Sequence, residues 1–163
     1  MKRMKYIRFL KFVISIFVCL MAGMVGSFFT SSSVNTWYKT LNKPVFNPPD
    51  WLFAPVWTFL YVIMGISLFI VWNSEDALHK KRRYTALTFF SIQLFLNMLW
   101  SAFFFGLKNP LMAFIEIILL WVSIIITFLS FKKISVFAGY LLFPYLLWVS
   151  FAGFLNYAIY VMN

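Results

Sequence analysis

Apolar residues run almost unbroken along this chain in five stretches, about Phe9 to Thr30, Trp51 to Trp72, Tyr84 to Phe105, Pro110 to Phe131 and Ile134 to Val161. Each is about the length, roughly 20 residues, that a helix needs to cross the hydrocarbon of a bilayer. The runs are long and continuous rather than alternating with period two, which argues against membrane-spanning strands. The pattern predicts an all-α membrane protein, a five-transmembrane-helix bundle forming one domain over residues 1–163. Its connections are short except for the first, residues 31–50. Composition strengthens this reading: 63% hydrophobic, 23% aromatic and 11% charged residues, with a mean hydropathy of +0.88, leave too little polar surface for a water-soluble domain.

The first connection and the helix it enters carry an unusual density of rigid residues. Residues 37–61, WYKTLNKPVFNPPDWLFAPVWTFLY, hold four of the six prolines and three of the seven tryptophans. Pro44, Pro48 and Pro49 fix φ and remove backbone donors, so Tyr38 to Pro49 is expected to form a rigid, largely non-helical lid. The SSSVNT run from Ser31 is expected to end the first helix. Asp50 is placed to cap the second, with Pro55 tolerated near its start. Aromatic residues here would singly serve as headgroup anchors, but an anchor does not need a stiffened loop of this length.

Helical spacing then selects the faces that look inward. In the second segment Trp57, Tyr61, Met64, Leu68 and Trp72 recur every three or four residues. In the third, Gln93, Asn97 and Ser101 share a face with Trp100. Amides in hydrocarbon cost several kcal/mol unless paired, so that face must meet another helix or a polar ligand. The fifth segment offers Tyr145, Trp148, Ala152 and Asn156, with small Ala152 leaving room between large neighbours and Pro144 expected to kink the helix. Glu116 is the only carboxylate well inside an apolar run, deep enough to need a partner, and is read as a structural or dimer contact. Cys19 reads as a small buried hydrophobe and His79 as a solvated loop residue. There is no phosphate loop, metal-ligand spacing or Ser/His/Asp set, so hydrolytic or metal catalysis has no residues to run on.

A net charge of +10 raises the question of nucleic acid, but its placement argues otherwise. Eleven basic residues (Lys2, Arg3, Lys5, Arg8, Lys11, Lys80, Lys81, Arg82, Arg83, Lys132, Lys133) fall on one side of five crossings, against Lys39, Lys43 and Lys108 on the other. This is the positive-inside pattern; it predicts an inner N-terminus, an outer C-terminus, an outer lid and contact with membrane lipid, with no nucleic-acid partner. The apolar run from Phe12 to Phe29 is longer than a signal-peptide core, and Ala22, Gly23, Gly26 and Ser27 suit helix packing, so the first segment is expected to be retained.

Three runs resemble the TspO/translocator protein family, also called tryptophan-rich sensory proteins or peripheral benzodiazepine receptors: residues 37–61 above, QLFLNMLWSAFFFGLKNP at 93–110 and PYLLWVSFAGFLN at 144–156. The resemblance covers nearly the whole chain from the first helix onward. It implies a five-helix dimer whose cavity, closed by the first loop, binds porphyrins such as protoporphyrin IX, isoquinoline and benzodiazepine drugs and, in animals, cholesterol. No cofactor is implied beyond porphyrin as ligand. By position, Tyr38 and Pro48 match residues covering the ligand, and Trp57, Tyr61, Asn97, Trp100, Trp148 and Ala152 match the walls. Trp57 and Trp148 match tryptophans implicated in some bacterial members in light- and oxygen-dependent breakdown of protoporphyrin IX. No Lys or Arg follows Tyr157 or Tyr160, which leaves the animal cholesterol pattern incomplete, and no organellar transit segment is evident, so a prokaryotic cell membrane is expected. Two other readings stay open: a transporter of porphyrins or other amphipathic molecules, and a structural or partner-binding protein in which the aromatics only pack.

Overall fold

A computed structural model of the chain describes residues 2–74 and 80–163; His79 lies outside the described residues. The elements are α1 (Lys2–Ser33), a short α2 (Trp37–Thr40), α3 (Asp50–Trp72), α4 (Lys80–Ser101), α5 (Pro110–Lys132), α6 (Val136–Leu141) and α7 (Phe143–Met162). A π-helical turn, Ala102–Gly106, prolongs α4. No strand occurs among the described residues. Five helical spans, with α6 and α7 together making the fifth, are long and apolar enough to cross a membrane, and the chain is an integral membrane protein. At 32 residues α1 extends about 48 Å, well beyond a hydrocarbon layer of roughly 30 Å, so its ends stand in the polar regions.

Several boundaries differ from expectation for local reasons. α1 ends inside the SSSVNT run but runs on to Ser33, because Ser31 and Ser32 donate their hydroxyls to the Phe28 and Phe29 carbonyls of the same helix, at 3.0 and 2.8 Å. Ser33 donates instead to the Phe105 carbonyl at 2.8 Å, pinning the end of α1 to the π-helical turn. The lid is not wholly extended, since Trp37–Thr40 winds into one helical turn. Asp50 does not cap α3: Pro49 occupies the cap position without a side-chain bond, and Asp50 is the first helical residue. The expected kink at Pro144 is a full break, with Leu142 ending α6 and Pro144 sitting in the first turn of α7, where its missing N–H costs nothing. At the start of α5, Lys108 turns the chain at φ 52°, and the Asn109 side chain accepts from the Met112 amide at 3.0 Å.

Glycine and ring contacts fix the packing. Gly65 of α3 lies against the Ile16 backbone of α1, close enough that an added Cβ would fall 2.6 Å from the Ile16 Cα. Phe90 of α4 stacks on Phe131 of α5, with centroids 5.5 Å apart. Ser67 donates to the Ala138 carbonyl at 2.7 Å, tying α3 to α6, and Trp121 Nε1 donates to Ser150 Oγ at 2.8 Å between α5 and α7. Cys19 is fully buried in this core. Glu116 is only 4% exposed, so it lies inside the bundle and not on a face open to a second copy.

Candidate functional site

Five spans leave a cavity of about 570 Å³ between α1, α3, α4, α5 and α7, beneath Val34 and Tyr38. That is within the roughly 300–1,000 Å³ of small-molecule sites. Its walls are largely aromatic. Trp57 and Tyr61 stack one turn apart on α3 (centroids 5.6 Å, interplanar angle 28°). On α4, Trp100 stacks on Phe104 at 5.1 Å. Trp148 of α7 meets the edge of Phe53 of α3 at 6.0 Å. Ala152 lies on the same wall as Trp148 and supplies space instead of a ring.

A hydrogen-bonded chain runs below these rings. Tyr61 donates to Asn97 Oδ1 at 2.5 Å, and Asn97 Nδ2 donates to the Tyr145 hydroxyl at 3.0 Å, linking α3, α4 and α7. Tyr61 is eleven residues from the start of α3, about 16 Å along it, which puts this chain near mid-depth. A second bridge joins α4 to α7: Trp100 Nε1 donates to Asn156 Oδ1 at 3.0 Å, while Asn156 Nδ2 donates to the Pro110 carbonyl at 2.8 Å. Both ends of Asn97 and of Asn156 are therefore satisfied by their neighbours. Trp148 is different: its indole N–H is buried on the cavity wall with no acceptor. Gln93, one turn inward of Asn97, and Glu116 are also buried without hydrogen-bond partners, and neither lines the cavity.

The lid is held from both ends. Tyr38 is 4% exposed, packs on Phe105 at 5.6 Å and donates to Asn47 Oδ1 at 3.0 Å. The Lys43 ammonium lies 4.0 Å from the centre of its ring, a cation–π contact that braces the lid. Asn42 and Asn163 clasp one another, with the Asn42 amide donating to Asn163 Oδ1 at 2.9 Å and Asn163 Nδ2 returning to the Asn42 carbonyl at 3.0 Å. Burial and the nearby charge of Asp50 push the Tyr38 hydroxyl up from 10.0 to about 12. A raised folded-state value favours the neutral phenol, so its contribution is complete below pH 10 and is lost as pH climbs toward 12. Thermal stability is expected to fall through that window, and the fall should be shallower in Tyr38→Phe; an identical profile in the variant refutes the assignment.

Of the residues expected at the site, Tyr38, Trp57, Tyr61, Asn97, Trp100, Trp148 and Ala152 line the cavity. Pro48 does not; it is set back in the lid, where its carbonyl accepts from Asn47 Nδ2 at 2.9 Å. Many lining groups escape sequence reasoning. Ile117 and Leu120 form the α5 wall; the buried polar residues of that helix, Glu116, Ser123 and Thr127, do not line the cavity and so do not mark it in the sequence. Gly23 lines the cavity because the Tyr61 ring lies against it, filling the place of a Cβ. Exposed lining residues, Met24 and Ser27 on α1 with Asp50, Ala54 and Thr58 on α3, mark an opening between these two helices.

Residues 15–162 match the sequence profile of the TspO/MBR family. The chain is similar to the tryptophan-rich protein TspO of Archaeoglobus fulgidus, with 49% identity over 94% of this chain and 97% of that protein. It is 46% identical to the tryptophan-rich protein TspO of Chlorobaculum tepidum over 90% of this chain and 91% of the relative. The translocator protein of Bos taurus is 33% identical over 88% and 84% of the two chains.

Proposed function

Since the chain belongs to the TspO/MBR family, we propose that it is a membrane receptor or sensor holding a tetrapyrrole such as protoporphyrin IX in the cavity beneath the lid. The observation carrying this reading is the aromatic enclosure of about 570 Å³ in which Trp57, Trp100 and Trp148 all face one space. A flat macrocycle offers such walls a stacking face, and the free Trp148 N–H can orient its polar edge. Isoquinoline and benzodiazepine drugs suit the same enclosure. On this reading the protein is a homodimer in a prokaryotic cell membrane, and the eleven basic residues on one side of the five crossings favour that side inward and the lid outward. No cofactor is required.

Trp57 and Trp148 are the residues assigned to any oxidative chemistry. An indole beside an excited porphyrin can pass it an electron or be attacked by reactive oxygen, and an enclosed space retains the intermediate. Titration of the purified protein with protoporphyrin IX should quench tryptophan fluorescence with one-to-one stoichiometry, and Trp57→Phe or Trp148→Phe should weaken binding about three- to tenfold, as the smaller ring offers less stacking face and no indole N–H. Unchanged affinity in both variants would reject the site. Loss of porphyrin absorbance under light should also slow in both, and equal rates remove the catalytic assignment. Transport is favoured less, because the Tyr61–Asn97–Tyr145 chain crosses the bundle below the cavity. Uptake of porphyrin by proteoliposomes would reverse that order.

A further inference from the structure

Asp50 is the one lining residue with a charged side chain, at the exposed outer rim of the cavity. Having failed to become a helix cap, its carboxylate has no hydrogen bond or ion pair among the described residues. None of the outer-side cations lines the cavity beside it. Lys39, Lys43 and Lys108 are absent from the lining, and Lys43 is held over the Tyr38 ring at 4.0 Å. The carboxylate is felt across the mouth, since its charge contributes to the upward shift of Tyr38 in the lid. Low-dielectric walls focus such a field on whatever enters.

We infer that Asp50 makes the mouth a charge filter, favouring flat aromatic ligands that carry an ammonium group over those that carry carboxylates. This rests on the tetrapyrrole reading of the cavity and refines it by ranking members of the class: protoporphyrin IX, a dicarboxylate, still binds, a few-fold more weakly than the same ring with neutral or cationic side chains. A dicarboxylate ring must bring its acids past or beside Asp50. The same ring with neutral or cationic side chains meets no such repulsion. Because Asp50 is exposed, solvent and salt screen it, and the preference is a few-fold, not absolute.

The test compares three probes with one ring system: protoporphyrin IX, its dimethyl ester, and its diamide bearing two aminoethyl groups. Each is titrated into full-length wild type and Asp50→Asn in the same detergent. The ratio of the two affinities cancels each probe's own partition into micelles. At low salt, Asp50→Asn should tighten the dicarboxylate about two- to fivefold, weaken the diamine by a similar factor and leave the ester unchanged, as expected for one exposed charge. Asp50→Glu should keep the wild-type order, and raised ionic strength should compress the wild-type preference. Equal shifts for all three probes, or none, overturn the filter while leaving the cavity assignment standing. Failure of all three probes to bind wild type overturns the tetrapyrrole reading, and the filter with it.

Discussion

Asn97→Leu is expected to destabilise the bundle by about 2–4 kcal/mol, measured by thermal or detergent-induced unfolding. Interhelical hydrogen bonds in membranes average only about 0.6 kcal/mol by double-mutant cycle. Two such bonds would not give so large an effect. The larger cost comes from the partners: Tyr61 is 8% exposed and Tyr145 fully buried, and both lose the amide that serves them. A buried hydroxyl left without a partner costs about 1–3 kcal/mol. The triple variant Tyr61→Phe, Asn97→Leu, Tyr145→Phe should therefore be more stable than Asn97→Leu alone, since apolar groups replace the whole chain. A triple variant less stable than the single one would show that the chain is not what Asn97 contributes.

Gly65→Ala should cost about 3 kcal/mol, and Gly26→Ala under 1 kcal/mol, although both glycines sit in helix interfaces. The difference lies in what an added methyl meets. At Gly65 it falls 2.6 Å from the Ile16 Cα, which is backbone and moves only with the whole of α1. At Gly26 it falls 3.1 Å from the Ser101 hydroxyl, a side chain free to rotate. Unfolding midpoints of the two variants in one detergent check the order directly, and equal losses would mean that α1 can slide away from α3.

The five crossings and much of the site were legible because spacing alone carries them. Trp57 with Tyr61, Asn97 with Trp100, and Trp148 with Ala152 each recur at helical intervals, and amides or indoles among aliphatic residues mark which way a face points. What the sequence hid depended on partners distant in the chain. Ser33 ends α1, but nothing near it in the chain shows that its hydroxyl bonds the Phe105 carbonyl. Asp50 resembles a cap, yet Pro49 takes that position. Pro48 looks equivalent to Tyr38 as a cover, whereas the Asn47 amide draws its carbonyl into the lid's own framework. The π-helical turn at Ala102–Gly106 has no proline or glycine pair to announce it, and it sets Phe104 and Phe105 around Tyr38.

The opening between α1 and α3 reaches from Asp50 to Thr58, eight residues or about 12 Å down the helix. A slot of that depth adjoins the acyl chains of the leaflet on the lid side as well as the water above. An apolar ligand dissolves in that leaflet first, so the concentration the slot samples is set by the lipid and not by the buffer. Apparent dissociation constants quoted against total ligand should then rise in proportion to lipid at fixed protein, while occupancy expressed as ligand per lipid stays constant.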